Sequence, residues 1–341
     1  MELLIRQTKP DFLIKNIFPC DINHYCVFDP DLGWRYRKNI NGIIQEKQIY
    51  INNEGFRGRD IDFQNKLKDR ILILGDSIPF GWGVADSETF PEILNKDKAF
   101  PFEVINTGVM GYGPDQELLL YKKYVKRIKP DKVILNICMA NDLRDISSAR
   151  NIYDGGHLPK PIFLKTNSSG YSLYRDHLKL SVWKRLLYEI NYRSYLYNFM
   201  RYAINPNFKK DTLKAIYTTP NEMSNYNHDE ESAIDEDSAL EKMIYIIDEL
   251  NILSKKNNQD LLLIIFPSET MFENKEEYNR YFILLKELQN KEIAVIDIYQ
   301  ALNINKDNYH EYALDDVFHL NENGHHIIAE LIKDYINKHD D

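Results

Sequence analysis

The fold is decided first by residues 70–77, which read RILILGDS. Positions 71–74 are all aliphatic, and a run without polar alternation predicts a strand covered on both faces, as in a parallel sheet. Glycine, aspartate and serine follow at once, and a buried strand does not favour these residue types. We therefore predict that the strand ends at an edge of the sheet and that Ser77 is presented there.

Four further aliphatic runs resemble this first one. They are residues 102–108, 132–142, 261–268 and 293–299. Helical patterns lie between them, and strands that alternate with helices imply right-handed crossovers. The sequence therefore predicts an α/β fold, a three-layer α/β/α sandwich around a central, mainly parallel sheet of five strands.

Two regions fall outside this alternation. Residues 1–65 contain Gly- and Asn-rich turns with aromatic side chains, which predict a hairpin-like N-terminal extension packed on the main domain. The main domain then covers residues 66–341, with an insertion at about 144–237. The insertion combines an amphipathic helix with an acidic polar stretch, which we interpret as a helical insertion with an exposed or mobile loop.

Composition and charge exclude several classes of partner. Hydrophobic residues make up 43% of the 341 positions, which is ordinary for a globular protein. The net charge is −9, so the electrostatic field of the protein repels polyanions and we expect no nucleic-acid partner. No apolar stretch reaches the roughly 20 residues that span a bilayer, and no secretory signal is recognisable, so we expect a cytoplasmic protein without integral membrane association. Cys20, Cys26 and Cys138 are too few and too scattered for a disulfide framework or a zinc site.

Polar residues close three of the predicted strands. Residues 75–77 follow the first strand, residues 106–111 the second, and Asn141 and Asp142 the third. In open parallel sheets, ligands bind beyond the carboxyl ends of the strands. These three segments are therefore expected to form one cluster, although they lie far apart in the sequence.

A serine nucleophile needs a base within hydrogen-bond reach and a group that orients the base. The stretch ALDDVFHLNENGHH offers both, because Asp316 and His319 lie three residues apart after the fifth predicted strand. Asp315 is a competing acid, one residue out of register. We expect His319 to face Ser77 while a carboxylate holds the second ring nitrogen.

Attack on a carbonyl creates an oxyanion, and preorganised donors aimed at that oxygen stabilise it. The Ser77 backbone N–H lies at a predicted helix start, and a glycine N–H is available in residues 106–113. The side-chain amide of Asn141 is the third candidate donor.

These motifs together resemble the GDSL, or SGNH, hydrolase superfamily, over residues 70–335. Its four blocks correspond to residues 75–77 (Gly-Asp-Ser), 106–111 (NTGVMG), 139–142 (Gly-x-Asn-Asp in the family) and 316–319 (Asp-x-x-His). Met139 stands where the third block has glycine. The upstream stretches DLGW and GFRG also resemble the N-terminal segment of one group of bacterial members.

The resemblance implies a flavodoxin-like SGNH fold and assigns roles within it. Ser77 is expected to be the nucleophile, with His319 and Asp316 completing the triad. Gly111 is expected to be the oxyanion glycine, with Gly108 as its rival. The implied activity is hydrolysis of carboxylic esters without cofactor or metal, on substrates from acetylated sugars to lysophospholipids. We expect a short acyl ester of a small molecule or a glycan.

Several further residues have an expected place. Trp82, Gly108 and Asp142 are candidate substrate-pocket residues, with Asp142 also a candidate cap for the next helix. His325 and His326 are interpreted as solvated, so no metal is expected.

Two other functions remain open. An O-acyltransferase would use the same site to acylate a sugar. An inactive binding module would retain the fold, and Met139 motivates this alternative.

Overall fold

The structure is a computed structural model. It describes residues 25–149, 159–166, 170–183, 235–314 and 319–339, together with residues 186, 190, 194, 196, 197, 200 and 204. Cys20, Asp315 and Asp316 lie outside the described residues, as does much of the predicted insertion.

The described chain contains eleven strands. In chain order they are β1 (Cys26–Asp29), β2 (Gly33–Tyr36), β3 (Ile40–Ile44), β4 (Lys47–Ile51), β5 (Asp69–Leu74), β6 (Phe102–Asn106), β7 (Lys132–Cys138), β8 (Ile162–Lys165), β9 (Tyr171–Tyr174), β10 (Asp260–Phe266) and β11 (Ala294–Asp297). Five of them form one sheet in the order β11-β10-β7-β5-β6, with every neighbouring pair parallel. All five predicted aliphatic runs thus become strands of one parallel sheet.

Helices cover this sheet on both faces. In chain order they are α1 (Ser77–Phe80), α2 (Phe90–Lys96), α3 (Pro114–Ile128), α4 (Asp142–Ser147), α5 (Glu236–Lys256), α6 (Lys275–Asn290), α7 (Ile298–Ala301) and α8 (Glu322–His339). Short 3₁₀ turns occupy Asp86–Glu88, Asp176–Leu178, Glu269–Phe272 and Tyr309–Glu311. Helices α3, α5 and α6 share one core cluster, whereas α2 and α8 share the other. The predicted three-layer α/β fold is therefore confirmed.

Strand β5 shows why its sequence lacks alternation. Leu72 and Leu74 belong to the core on the α3 face, whereas Ile71 and Ile73 belong to the core on the α8 face. Successive side chains of a strand point to opposite faces, so a strand covered on both sides needs apolar residues at every position.

The N-terminal extension packs on the α3 face. It contains two antiparallel hairpins, β1–β2 and β3–β4. Trp34 and Tyr36 of β2 are almost fully buried and join the same core cluster as α3. A third hairpin, β8–β9, belongs to the described part of the insertion.

The sheet order places the catalytic candidates at its switch point. Strand β5 has β6 on one side and β7 on the other. The chain therefore adds strands to one side of β5 first and then to the other side, and the strand order reverses between β5 and β7. Ser77 follows β5 and Asn141 follows β7. Crevices at such switch points are where open α/β sheets bind ligands.

Candidate active site

The turn at residues 75–77, which carries the candidate nucleophile Ser77 and is called the nucleophile turn below, follows β5 directly. Gly75 has φ +152°, and a Cβ there would lie 2.6 Å from the Pro79 side chain, so glycine permits the tight turn. The Asp76 carboxylate then caps α1 by accepting a hydrogen bond from the Ile78 N–H at 3.0 Å. Ser77 thereby becomes the first residue of α1.

Ser77 and His319 meet at this edge of the sheet. The His319 Nε2 atom lies 2.8 Å from the Ser77 Oγ atom, a hydrogen-bond distance, although 242 positions separate the two residues. Both side chains are largely buried. The Trp82 ring is partly exposed, and its centroid lies 5.8 Å from that of His319. Asp316, which the sequence predicts to orient His319, lies outside the described residues.

Backbone pairing closes the loop that carries His319. The Leu314 N–H donates to the His319 carbonyl at 2.7 Å, and Ala313 forms an antiparallel bridge with Leu320. The Asn321 side-chain amide donates to two carbonyls before the loop, those of Glu311 and Ala313. These contacts fix both ends of the loop and hold His319 beside α1.

The two glycines of the second block differ in their surroundings. A Cβ on Gly108 would lie 2.5 Å from the Phe80 nitrogen, so this glycine allows the loop to pack on the nucleophile turn. Its N–H donates to the Asn106 Oδ1 atom at 3.0 Å. Gly111 has φ +72° and is partly exposed. Gly111 therefore suits an oxyanion donor better than Gly108, whose N–H already has an acceptor.

The N-terminal extension holds the residue before Gly111. The Met110 N–H donates to the Tyr36 hydroxyl at 3.2 Å, and the Trp34 indole N–H donates to the Met110 carbonyl at 3.4 Å. The Tyr112 hydroxyl donates in turn to the Trp34 carbonyl. Sequence reasoning did not find this role for Trp34 and Tyr36. The stretch DLGWRY, with two aromatic residues in a short strand after a turn, was the available signal.

Arg57 fixes the other end of the nucleophile helix. Its guanidinium is buried and donates to the carbonyls of Phe80, Gly81 and Val84 at 2.9, 2.5 and 2.7 Å. It also pairs with Asp86 at 2.6 Å. A cation at the carboxyl end of a helix satisfies carbonyls that have no partner within the helix. The sequence analysis assigned no role to Arg57.

The Asn141 side chain lies between two carboxylates. Its Nδ2 atom donates to Asp76 Oδ2 at 2.8 Å and to Asp145 Oδ2 at 2.9 Å. Its Oδ1 atom is buried and has no hydrogen-bond partner among the described residues. We expected the Asn141 side-chain amide to donate to an oxyanion, but both of its N–H groups donate to carboxylates in this structure.

Asp142 is also buried in this region. Its Oδ2 atom accepts a hydrogen bond from the Cys138 N–H at 2.7 Å, which ties the start of α4 to the end of β7. Asp142 is 1% exposed, and Gly108 is buried as well, so neither presents a surface to a ligand here. Of the three predicted pocket residues, Trp82 is partly exposed beside His319.

A cluster of buried carboxylates lies behind this site. Its members are each at most 2% exposed: Asp76, Asp115, Glu117, Asp142 and Asp145. Lys160 from the insertion, 1% exposed, donates to Asp115 Oδ1 at 2.8 Å. Burial raises the pKa of Asp145 to about 7 and holds the pKa of Glu117 and of Asp142 well above their usual range.

The described carboxylates and histidines do not come together as a metal site. Across the described ranges, no group of three or more His, Cys, Asp or Glu side chains is arranged to hold a metal ion. The expectation that His325 is solvated is wrong: it is buried, accepts a hydrogen bond from the Phe90 N–H at 3.3 Å, and stacks on the Phe90 ring. Burial lowers its pKa to about 3. His326 is exposed, as expected.

A cavity of about 160 Å³ lies at the carboxyl ends of β7 and β10, next to the first turn of α4. Residues that line it include Met139, Leu143, Arg144, Ser268, Thr270 and Glu277. The Ser268 and Thr270 hydroxyls both donate to Glu277 Oε2, at 2.7 and 2.6 Å. The lining carries two guanidinium groups and two carboxylates, so its charges balance.

No helix in the described ranges has both the length and the apolar character that would be needed to cross a bilayer.

Comparisons with known proteins give structural likeness at low sequence identity. No protein-family model matches the chain, and no curated protein matches it. A GDSL-like lipase from Bacteroides thetaiotaomicron is 14% identical, covers 82% of this chain and 92% of its own, and has a TM-score of 0.43. The lipase/acylhydrolase from Enterococcus faecalis is also 14% identical, with coverages of 79% and 95% and a TM-score of 0.43.

A third similar structure is an acetyl xylan esterase, 14% identical, with coverages of 78% and 99% and a TM-score of 0.42. The solved structures that this chain resembles thus include proteins described as lipases, acylhydrolases and esterases, among them a GDSL-like lipase.

Proposed function

We propose that this chain is a serine hydrolase that cleaves carboxylic esters through an acyl-enzyme intermediate. The observation that carries the proposal is the 2.8 Å contact between His319 Nε2 and Ser77 Oγ at the switch point of a parallel sheet. A serine hydroxyl paired with an imidazole at a ligand-binding edge is the arrangement that activates serine for acyl transfer.

The reaction follows from these positions. His319 takes the proton of Ser77 as Oγ attacks the ester carbonyl, and the same proton then passes to the departing alcohol oxygen. Water attacks the acyl-enzyme with His319 again as base, and Ser77 recovers its proton. Asp316 is assigned from the sequence as the residue that orients His319.

The proposed oxyanion donors are the backbone N–H groups of Ser77 and Gly111 and the Asn141 side chain. For Asn141 to serve, one of its N–H groups must turn from a carboxylate to the oxyanion, since both are engaged in this structure.

The substrate we propose is a short acyl ester of a small molecule or a glycan. The cavity at the carboxyl ends of β7 and β10 opens at the same edge of the sheet, and its hydroxyl groups and balanced charges suit a neutral polar group better than a long alkyl chain. Trp82 is the proposed pocket residue on the His319 side.

The test is hydrolysis of p-nitrophenyl esters from acetyl to decanoyl. We expect the highest kcat/KM for the shortest esters and a loss of at least about 10³-fold in Ser77→Ala. Ser87→Ala is the matched control, because Ser87 is exposed in the turn after α1. Folded Ser77→Ala protein that retains wild-type turnover would exclude the proposal.

An O-acyltransferase that acylates a sugar is the second candidate, since the contact between Ser77 and His319 would form an acyl-enzyme in either function. Incubation with p-nitrophenyl acetate, with and without xylose, separates the two functions. Acetate as the sole acetyl-containing product, besides the p-nitrophenol released in both reactions, indicates a hydrolase, whereas acetylated xylose indicates a transferase.

A further inference from the structure

The cavity of about 160 Å³ at the carboxyl ends of β7 and β10 has an apolar part and a polar part. The lining from the end of β7 and the start of α4 includes three apolar residues in a short stretch, Met139, Ala140 and Leu143. The lining that follows β10 includes the hydroxyl groups of Ser268 and Thr270. The apolar residues on the β7 side therefore offer the part of this cavity that suits an alkyl group.

The sheet order places Met139 between this cavity and the candidate nucleophile. Strand β7 lies between β5 and β10, and neighbouring strands of a sheet are about 4.8 Å apart. Ser77 follows β5, Met139 follows β7 directly, and Ser268 follows β10. A group that extends from Ser77 toward the cavity therefore passes the end of β7, where Met139 lies.

Met139 fills this position with a side chain on an ordinary backbone. It is partly exposed and packs against the core on the α3 face. Its N–H donates to the Phe266 carbonyl at 3.0 Å, which continues the pairing of β7 with β10. Its φ is not positive, so the backbone here does not require glycine. Methionine in place of the glycine of the third block thus adds a side chain to the cavity lining at a position that either residue can adopt.

We propose that Met139 limits the length of the acyl chain that this protein accepts, because its side chain separates Ser77 from the cavity. A short acyl group on Ser77 fits on the near side of the methionine, whereas a longer chain meets it. Loss of this unbranched side chain opens apolar space beside Ala140 and Leu143. This inference rests on the proposed function, since Ser77 must carry the acyl group.

The polar part of the cavity sets a second limit. The Ser268 and Thr270 hydroxyls both donate to Glu277 Oε2, at 2.7 and 2.6 Å. An alkyl chain that reached these groups would displace water from a carboxylate, which is costly. Removal of the Met139 side chain should therefore favour acyl chains of intermediate length over the longest ones.

Met139→Gly tests the proposal with p-nitrophenyl acetate, hexanoate and decanoate. We expect the ratio of kcat/KM for hexanoate to kcat/KM for acetate to rise at least about tenfold, because additional methylenes enter an apolar space. The gain for decanoate should be smaller. Met139→Leu nearly conserves the volume of the side chain and should keep the wild-type ratio. Ile252→Ala, which shortens an exposed apolar side chain on α5, is the second control.

Three results would overturn the proposal. They are an unchanged ratio in folded Met139→Gly, an equal rise of the ratio in Ile252→Ala, and a gain for decanoate that exceeds the gain for hexanoate. If Met139→Gly does not fold, Met139→Ala is measured in its place, because it also removes the side chain beyond Cβ.

Binding of 1-hexanol, whose alkyl chain is as long as a hexanoyl group, tests the space without catalysis. In Ser77→Ala protein, titrations followed by saturation-transfer NMR should give a Kd at least about fivefold lower when Met139 is also replaced by glycine. Equal Kd values contradict the proposal. If the wild type hydrolyses no ester but hexanol binds more tightly after the replacement, Met139 does close the cavity and the proposed function fails instead.

Discussion

The N-terminal extension and the insertion both contact the region around the proposed active site, but they do so through different chemistry. The extension contributes Trp34, Tyr36 and Arg57, which bind backbone N–H and carbonyl groups of the catalytic loops. The insertion contributes Lys160, which binds a buried carboxylate. The extension therefore fixes where the loops lie, whereas the insertion affects which carboxylates behind them keep a proton.

The two regions also touch each other. Gly33 of the extension has φ +89°, and the position of its missing Cβ is blocked by the Pro159 carbonyl, next to Lys160. Glycine is needed here because a side chain would push the extension and the insertion apart. The extension and the insertion therefore pack directly on each other at this position, and the Arg175 guanidinium of the insertion also donates to Asp31 of the extension at 3.3 Å.

The largest effect is expected from Lys160→Met, which removes the buried ammonium. Breaking a buried ion pair from one side typically costs about 3–5 kcal/mol in the free energy of unfolding. Lys160 lowers the pKa of Asp115, Asp145 and other acids of the cluster, so its loss raises those pKa values in the folded state. A folded state with raised carboxyl pKa values loses stability as the pH rises. Urea unfolding should therefore show a larger loss at pH 8 than at pH 5.5.

Lys165→Met is the control for this prediction. Lys165 is the last residue of β8, five positions after Lys160, and pairs with Glu241, but both side chains are more than half exposed. The free energy of unfolding of Lys165→Met should fall by less than about 1 kcal/mol. If both variants lost the same free energy of unfolding at pH 5.5 and at pH 8, Lys160 would have no effect on carboxyl protonation.

The next effect is expected from Arg57→Met in the extension. Two carbonyls at the end of α1 and the Val84 carbonyl in the turn after it lose a charged donor, which should cost about 3 kcal/mol of stability. Because Ser77 begins this helix, kcat should fall at least about tenfold, a change of about 1.4 kcal/mol in the barrier. Arg59→Met, which removes a half-exposed ion pair with Glu92, is the control. Unfolding curves and ester turnover measured on both variants check the prediction.

The smallest effect is expected from Tyr36→Phe. The Met110 N–H loses its acceptor while the ring stays in place, so stability should fall by about 1 kcal/mol. Since Met110 precedes Gly111, kcat should fall several-fold, and the acyl-chain preference should not change. Tyr50→Phe, which removes a hydroxyl contact with Asp60 at the surface, is the matched control. Equal kcat values for the two variants would show that the extension does not position Gly111.

Sequence reasoning succeeded where the signal is local. Each of the five strands of the parallel sheet matches one of the apolar runs found in the sequence, and the Gly-Asp-Ser turn after β5 can be recognised without its neighbours. The expected contact of His319 with Ser77 followed from the carboxyl ends of parallel strands meeting at one edge. For the same reason Asn141 lies near Ser77, although its amide faces Asp76 and Asp145.

The buried carboxylates could not be predicted in this way. Asp115 and Glu117 lie in the first turn of α3, where acidic residues normally stay solvated and interact favourably with the helix dipole. The extension covers this turn, and the Gln116 amide donates to the Leu32 carbonyl. His325 was misjudged for a related reason, because the start of α8 looks exposed until Phe90 packs on it.

The amino-acid sequence by itself determined the five-stranded α/β sheet and the presentation of Ser77 and His319 at its edge. The spacing of apolar residues and the residue types that form turns depend on residues close together in the sequence, so both can be recognised without the structure. The tertiary structure alone decided which carboxyl groups lose contact with water and which hydrogen bonds Asn141 makes. Those outcomes depend on residues distant in sequence, such as Leu32 and Lys160, which cover the carboxylate cluster. Burial disfavours the ionised form of a carboxyl group and so raises its pKa.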